Sequence, residues 1–146
     1  MQDLLDLAAE DCETLLRTTV AGRMAFATPA GLHVLPLNHS VVGDAVLVRV
    51  TPDSLLAGVD PGTPIAYEID RIDHEHQRGW SVVAHGPAEH VTDEAELAEI
   101  GRVWAPRPWA AGSRPHHVRL RWTRLTGRQL GGGWDPLREL DFRRVL

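Results

Sequence analysis

The stretch Leu32–Ala57, LHVLPLNHSVVGDAVLVRVTPDSLLA, decides how this chain of 146 residues is interpreted. Two apolar strand patterns, at Leu32–Val41 and Ala45–Val50, flank a Gly-Asp pair that is typical of a tight hairpin turn. The second strand delivers Arg49, and the residues that follow predict a short helix over Thr51–Gly58. A guanidinium can bind two phosphate oxygens while helix N–H groups donate to the same anion. The stretch therefore predicts a site for a phosphorylated cofactor.

The rest of the chain is predicted to be mostly strand. One amphipathic helix precedes the strands, and a second helix lies between the fifth and sixth of them. Hairpin-linked strands with short connections favour antiparallel pairing, and many strands with few helices favour a small barrel with its helices outside. The fold class is thus mainly β. The predicted elements are a helix at Asp3–Arg17, strands at Gly22–Thr28, Pro64–Asp70 and Gly79–Val91, a helix at Thr92–Val103 capped by Asp93, and strands at His117–Trp122 and Thr126–Leu130.

Composition excludes several classes of protein. The net charge of −5 argues against nucleic-acid binding, and no apolar run approaches membrane-spanning length. The first residues lack the basic-then-apolar order of a signal peptide, so we expect a cytoplasmic protein without membrane or nucleic-acid partners. Cys12 is the only cysteine, which excludes an intrachain disulfide and a thiolate zinc cluster. No lysine occurs, which excludes lysine-linked pyridoxal phosphate catalysis and a Walker-type phosphate loop.

Six segments occur in an order that resembles the pyridoxamine 5′-phosphate oxidase-like family of FMN-binding split barrels, in its short actinobacterial branch. The resemblance covers Asp11–Arg128. The segments are GRMAFA (22–27), VLPLNHSVVGDAVLVRV (34–50), IAYEID (65–70), GWSVVAHGPAEHV (79–91), RPW (107–109) and HHVRLRWTRLTGR (116–128). The resemblance implies a six-stranded antiparallel split barrel, a homodimer, and FMN at the subunit interface. We expect one barrel domain with its N-terminal helix over residues 1–130, then a flexible Gly-rich joint and a charged tail over 131–146.

The same resemblance implies which residues hold the flavin phosphate. They are Arg49 and the hydroxyl-bearing residues of the turn after it, Thr51 and Ser54. The chain departs from the family pattern where that pattern has a hydroxyl residue, a glycine and a lysine: Val50, Asp53 and Leu55. A hydrogen bond to a charged group contributes roughly 1.5–3 kcal/mol, so loss of the lysine contact lowers cofactor affinity by roughly ten- to a hundred-fold.

Four further residues are predicted to lie beside the flavin ring. Pro36 interrupts a strand pattern, which predicts an edge, a bulge or a ligand contact at that position. The resemblance implies that the amide of Asn38 and the hydroxyl of Ser81 bond the ring, while Trp80 packs on the cofactor or, the favoured interpretation, in the core. His39 faces substrate or satisfies a hairpin end, and the second interpretation is favoured.

Several polar clusters have competing interpretations. Glu68 and Asp70 share one strand face and form either an acid–base pair or, as favoured, partners for arginines. The run Asp73–His76 has the residue types of a metal site but not the helical spacing, so a solvated turn is favoured and no metal is expected. The loop Trp104–Pro115 is predicted to cover the cleft or, as favoured, to pack against a partner chain.

The sequence thus predicts an FMN-dependent oxidoreductase that acts on a small organic molecule. FMN supplies the redox chemistry in such enzymes, and the protein supplies orientation and electrostatics. No catalytic side chain is identifiable from the sequence. The alternative is a non-catalytic or differently liganded split-barrel dimer that holds deazaflavin F420, haem or no cofactor, with His39, His85 or His117 as haem ligands. A DNA-binding regulator is disfavoured because no helix-turn-helix pattern is present.

Overall fold

The structure is a computed structural model that describes residues 4–104 and 114–138. Strand dominates these residues, because most segments alternate apolar and polar side chains. The strands are β1 (Leu4–Asp6), β2 (Ala21–Thr28), β3 (Gly31–Asn38), β4 (Ser40–Val42), β5 (Ala45–Val50), β6 (Pro64–Asp73), β7 (Arg78–Val91), β8 (His116–Arg121) and β9 (Arg124–Leu130). The α-helices are α1 (Ala9–Thr18) and α2 (Glu94–Trp104), and short 3₁₀-helices lie at Leu56–Gly58 and Pro136–Arg138.

The 14-residue strand β7 organises the sheet. One edge of β7 pairs with β6 over residues 78–87, while the other edge pairs first with β9 and then, from Ala88, with β8. The strand order is β3-β2-β6-β7-β8-β5-β4, with β9 and β1 added beside the first half of β7, and the pairs are antiparallel. The first strand of this order, β3, also contacts β5, which lies next to the last strand, β4. The molecule is a mainly β antiparallel split barrel, which confirms the predicted fold class.

The core lies inside this curved sheet and under α1. On β6, Ile65, Tyr67 and Ile69 are buried while the residues between them face outward, as the two-residue period of a strand requires. The helix α1 closes the core with Cys12, Leu15 and Leu16, each fully buried. A smaller cluster, centred on Leu47, Val91 and Ile100, joins α2 to the outside of β5 and β7.

A buried polar network fixes the end of β3. His39 is fully buried; its Nε2 lies 3.0 Å from the carbonyl oxygen of Leu16, and its Nδ1 lies 2.8 Å from the hydroxyl of Tyr67. The Tyr67 hydroxyl also lies 2.8 Å from the carbonyl oxygen of Leu37. A substrate contact is therefore wrong, whereas the favoured structural interpretation is correct in kind: His39 satisfies hydrogen bonds at the strand end, with partners on α1 and β6. It ties α1 and β6 to the β3–β4 junction.

The strand count and two predicted elements in the first half of the chain need correction. The described residues contain nine strands, where the sequence patterns predict seven and the family resemblance implies six. The helix predicted at Asp3–Arg17 begins only at Ala9, because Leu4–Asp6 forms a strand whose backbone pairs with the end of β9. The strand predicted at Leu32–Val41 is two strands, since His39 turns into the core between them.

The helix predicted at Thr51–Gly58 is also wrong. Residues 52–55 form turns, and a 3₁₀-helix of three residues begins only at Leu56. Ser54 uses its Oγ to accept a hydrogen bond from the Leu56 N–H at 3.3 Å, and its own N–H donates to the Thr51 carbonyl at 3.0 Å. The argument from free helix N–H groups therefore does not apply here.

Other predictions are confirmed. Asp93 accepts a hydrogen bond from the Glu96 N–H at 2.9 Å, as a helix N-cap does. Pro36 lies on β3, which is an edge strand of the order and pairs there only with β2. Neither α-helix of residues 4–104 and 114–138 has the length and apolar character needed to cross a bilayer. The loop predicted at Trp104–Pro115 lies mostly outside the described residues, as does the charged tail beyond Arg138.

Gly86 gives the first test of this architecture. A Cβ added at Gly86 would lie 2.3 Å from the carbonyl oxygen of Arg121, so Gly86→Ala forces two backbones apart. We expect a loss of about 1–3 kcal/mol in the free energy of unfolding, measured by urea denaturation.

Gly101→Ala is the matched control. Gly101 lies in α2 with open space around it, so alanine should instead stabilise the protein by about 0.5–1 kcal/mol. Equal effects of the two substitutions would show that the backbone contact at Gly86 does not constrain the barrel.

Candidate functional site

The outside of the sheet formed by β1, β2, β3, β6, β7 and β9 carries most of the candidate residues. Strand alternation and register place Asn38, Arg23, Glu68, Ser81 and Arg128 on this outer face. The same face exposes large apolar side chains, which is unusual for a face left in water. They are Leu4 (58% exposed), Leu32 (88%), Val34 (62%), Ile72 (64%) and Leu130 (39%).

A groove of about 590 Å³ is cut into one end of this face. Its size lies within the roughly 300–1,000 Å³ that small-molecule sites occupy. We call it the β6–β9 groove. It is lined by Leu4, Glu68, Asp70, Ile72, Asp73, His74, Gln77, Arg78, Gly79, Trp80, Ser81, Arg128 and Leu130. Two residues predicted to contact the flavin, Trp80 and Ser81, are therefore groove residues.

Glu68 and Asp70 form a polar cluster at this groove, together with Arg23 from β2. The Arg23 Nη1 donates to Glu68 at 3.1 Å and also to Asp70. The pKa of Glu68 is raised to about 7, first by burial and then by the neighbouring Asp70 carboxylate, which favours a proton on Glu68, while the charge of Arg23 lowers it. The favoured interpretation of these carboxyls, pairing with an arginine, is correct, and the pKa of Glu68 also suits proton exchange at neutral pH.

Arg49 lies on the outside of β5, opposite His117 of β8. Its Nε donates to the carbonyl oxygen of Arg114 at 3.0 Å. Burial lowers the pKa of His117, and the nearby charge of Arg49 lowers it further. Thr51 is half-buried, whereas Asp53 is exposed and Leu55 is 52% exposed.

The structure brings the predicted β3 residues close to Arg49. Asn38 ends β3, and β3 contacts β5, the strand that carries Arg49. The Asn38 amide also donates to the Val20 carbonyl at 3.4 Å. We call this region, with Pro36 and Asn38 on β3, Arg49 on β5 and Thr51 and Ser54 in the turn after β5, the arginine corner.

Trp80 and Ser81 belong to a separate location. Asn38 and Ser81 lie three strands apart in the order β3-β2-β6-β7, a separation of roughly 14 Å at 4.7–4.9 Å per strand. One chain therefore cannot place both side chains on the same atom group of a ligand. Trp80 is 4% exposed and packs in the core, as favoured from the sequence, and its indole N–H has no partner among the described residues.

The other candidate histidines each have a neighbouring polar group of the protein within hydrogen-bonding distance. His76 Nδ1 lies 2.8 Å from an Asp73 carboxylate oxygen within a turn, and the described residues contain no group of three or more side chains suited to a metal. His39 has both ring nitrogens hydrogen-bonded, which leaves no lone pair for haem iron. His85 Nε2 lies 3.3 Å from an Arg124 nitrogen, and His117 Nδ1 lies 3.1 Å from the carbonyl oxygen of Pro115.

Sequence reasoning missed the arginines beside the groove residues. Arg23 pairs with Glu68 and Arg128 with Ser81, and only the sheet register brings these residues together because they are distant along the chain. Sequence reasoning also missed the contact between the imidazoles of His90 and His116, in which the Nδ1 of His90 lies 2.8 Å from the Nε2 of His116. Alternation alone could have placed each side chain outward or inward, but it could not have supplied the register.

Comparison with known proteins assigns a family. The family described as pyridoxamine 5′-phosphate oxidase matches residues 8–129 of the chain. Uncharacterized protein Rv0080 of Mycobacterium tuberculosis is 32% identical over 110 residues, which cover 72% of each chain.

Solved structures share the fold. The FAD binding protein from Mycobacterium smegmatis superposes with a TM-score of 0.70 and 31% identity, over 86% of this chain and 97% of that one. A putative pyridoxamine 5′-phosphate oxidase from Corynebacterium glutamicum gives a TM-score of 0.75 at 22% identity, over 92% and 99% of the two chains, which is a likeness of fold alone.

The pKa of Glu68 generates a prediction about stability. Folding raises the pKa of Glu68 from 4.5 to about 7, so the folded protein binds this proton more tightly than the unfolded chain does. The contribution of Glu68 to the free energy of unfolding therefore falls as pH rises from 4.5 to 7. Glu68→Gln should therefore stabilise the protein at pH 8 by about 1 kcal/mol after solvent screening, but have little effect at pH 4.

The measurement is the difference in free energy of unfolding between wild type and Glu68→Gln across this pH range. The difference is needed because burial lowers the pKa values of His85, His116 and His117, which adds an opposite trend to both proteins. Glu99→Gln, on the exposed side of α2, is the control and should show no such trend. A difference that stays constant with pH would contradict the assignment.

Proposed function

The chain belongs to the pyridoxamine 5′-phosphate oxidase family, and from this premise we propose that it is a flavin-dependent oxidoreductase that works as a homodimer on a small organic substrate. The flavin is FMN. Its phosphate binds at the arginine corner of one protomer, and its ring meets the β6–β9 groove of the other. The observation that carries the proposal is that the strand order separates Asn38 on β3 from Ser81 in the groove by three strand spacings, so that the predicted flavin residues of one chain lie in two separate places.

The arginine corner supplies groups that suit a phosphate. Arg49 offers a guanidinium, which binds an anion with charge-assisted hydrogen bonds, and Thr51 and Ser54 offer hydroxyls in the turn that follows. Val50 is buried in the core, so the family's hydroxyl at that position has no counterpart facing outward. Since Leu55 brings no charge, the phosphate relies on Arg49 more than in the family pattern.

The groove supplies groups that suit a flavin ring. Ser81 presents a hydroxyl on the outer face, beside the apolar side chains of Leu4, Ile72 and Leu130. A bound flavin supplies hydride and electron transfer, chemistry that no side chain of the protein performs. The chain's own residues bind and orient it, and the apolar rim of the groove excludes water from the reacting face.

The name of one similar protein supports a flavin as the ligand rather than haem. The FAD binding protein from Mycobacterium smegmatis is 31% identical over most of both chains, which supports a flavin but leaves the nucleotide to be tested. Of the candidate haem ligands, His39 is buried and fully hydrogen-bonded, which disfavours haem as the alternative. A deazaflavin remains the second candidate, because it shares the phosphate and a ring of similar shape.

Arg49→Ala tests the phosphate site. Loss of its charge-assisted hydrogen bonds should weaken FMN binding by more than about tenfold, measured by quenching of flavin fluorescence. Arg102→Ala removes an equal charge from the exposed side of α2 and should leave the affinity unchanged. Parallel titrations with FAD and with deazaflavin F420 identify the preferred cofactor. A protein that binds none of the three would remove the proposed function.

The homodimer is tested through the exposed apolar face. A charge at Val34 and Ile72 costs little where the face meets water, but it disrupts an interface that buries them. We expect light scattering after size exclusion to give twice the chain mass of 16.1 kDa for wild type and a single chain mass for Val34→Glu/Ile72→Glu. Thr14→Glu, on the exposed side of α1, is the control. A wild-type monomer would contradict the composite site.

A further inference from the structure

Two histidines outside the β6–β9 groove contact each other where the second half of β7 pairs with β8. His90 of β7 and His116 of β8 are half-buried, and the Nδ1 of His90 lies 2.8 Å from the Nε2 of His116. The other ring nitrogen of His90, Nε2, lies 2.6 Å from the carbonyl oxygen of Val59. The pair, which we call the histidine clasp, therefore links β7, β8 and the chain that follows the 3₁₀-helix Leu56–Gly58.

The carbonyl partner determines where the protons of the histidine clasp lie. A carbonyl oxygen only accepts hydrogen bonds, so the Nε2 of His90 carries a proton and donates it to Val59. In a neutral imidazole the other nitrogen is then an acceptor, so the Nε2 of His116 donates to the Nδ1 of His90. One added proton keeps this bond, because one donor and one acceptor still face each other. Two added protons place N–H against N–H and break it.

The His90 side of the histidine clasp leads to the turn of the arginine corner. Val59 donates its N–H to the Leu56 carbonyl at 3.2 Å, and Leu56 donates its own N–H to the Oγ of Ser54 at 3.3 Å. The Ser54 N–H in turn donates to the Thr51 carbonyl at 3.0 Å. A run of hydrogen bonds thus connects His90 to both hydroxyl residues that the proposed function assigns to the phosphate.

The His116 side lies beside the arginine of the same corner. In the β5–β8 register, His116 pairs with Val50, and the next residue, His117, pairs with Arg49. The Nε of Arg49 donates at 3.0 Å to the carbonyl oxygen of Arg114, two residues before His116. The histidine clasp therefore holds together the two segments that arrange the phosphate site: the turn after β5 and the chain entering β8.

We propose that the histidine clasp positions the arginine corner for a phosphate and releases it when both rings are protonated. The inference deepens the proposed function by adding a regulation of its phosphate site, and it rests on that function for the ligand. His90 and His116 are positioning residues, because they act through the backbone at Val59 and Arg114. After release, the corner must be ordered again when a ligand binds, and this ordering costs part of the binding free energy.

The surroundings of the clasp place its release at acidic pH. Burial and then the His90 ring lower the pKa of His116 below its ordinary value, so the state with two charged rings forms only below that value. The other titratable and charged residues on the elements around the pair are Glu89 of β7, Arg114 before β8, His117 and Arg119 of β8, Arg49 of β5 and Asp60 after Val59.

His117 is the neighbour whose titration has to be distinguished from that of the clasp. Strand alternation places it on the opposite face of β8 from His116, where it lies across from Arg49. A proton on His117 adds positive charge beside Arg49 and strengthens anion binding. Its effect on phosphate affinity at low pH is therefore opposite in sign to release of the histidine clasp.

The first test needs no ligand and measures hydrogen exchange of the full chain at pH 7.5 and pH 5. Protection factors, which correct for the intrinsic effect of pH on exchange, are compared for the Gly58 and Val59 amides. We expect wild type to lose about tenfold in protection at pH 5, because the bond between the rings is lost. His116→Gln carries an amide that donates to or accepts from His90 without titrating, so its protection should not change with pH.

The second test measures the FMN dissociation constant of the same proteins at the same two pH values by quenching of flavin fluorescence. Wild type and His116→Gln should bind alike at pH 7.5, and wild type should bind about tenfold more weakly than His116→Gln at pH 5. The comparison removes the titration of the FMN phosphate itself, whose second pKa of roughly 6 affects both proteins equally. His116→Ala lacks the clasp at every pH and should bind weakly at both.

His76→Gln is the matched control, because His76 is exposed in the turn between β6 and β7 and should change neither measurement. Protection that stays constant in wild type, or a loss that His116→Gln shares, would overturn the clasp. Equal FMN affinities of wild type and His116→Gln at pH 5 would overturn its coupling to the phosphate site.

Failure of the clasp is distinct from failure of the proposed function. If FMN does not bind at either pH, the proposed function and the coupling both fail, and the exchange measurement still decides whether the clasp opens with acid. Circular dichroism shows whether each variant is folded. If His116→Ala is unfolded, the comparison of wild type with His116→Gln decides alone, since that variant keeps the hydrogen bond.

Discussion

The close approach of Gly86 to the Arg121 backbone is the constraint on which the rest of the structure depends. It lies where β7 stops pairing with β9, at His85, and begins to pair with β8, at Ala88, while the pairing with β6 runs to Pro87. The first half of β7 then forms the floor of the β6–β9 groove, and the second half supports the β8–β5 pair that carries Arg49. A side chain at this position would separate two backbones at the point where the halves of the barrel join.

A second constraint acts inside the barrel, where His39 occupies a position that alternation would leave to an apolar residue. Burying an imidazole is costly unless both nitrogens are satisfied, and here a helix carbonyl and the Tyr67 hydroxyl satisfy them. This burial has a consequence outside the core. The strand is interrupted at His39, between β3 and β4, and β3 contacts β5. The arginine corner thus depends on a polar network that does not touch it.

Much of the fold was predictable because period and turn chemistry are local. The strand Ala45–Val50 was predicted with its observed bounds, since the Gly-Asp turn fixes its start and alternation fixes its faces. Leu4–Asp6 was not, because three residues with helical spacing become a strand only through pairing with β9. The helix after Arg49 was wrong for a similar reason: the turn residues satisfy each other with side-chain and backbone hydrogen bonds and do not start an α-helix.

The candidate site was predictable only where one strand carried the information. Alternation placed Arg49 and Ser81 on outward faces, but the contact of Arg23 with Glu68 needs the β2–β6 register over 45 residues of separation. That register changes the chemistry. Isolated in sequence, Glu68 is an ordinary carboxylate; in the fold, burial and the Asp70 carboxylate raise its pKa to about 7, and the charge of Arg23 opposes them. The groove therefore combines an apolar rim with a pair of carboxyls that contact an arginine, and this combination distinguishes it from the arginine corner on the same barrel.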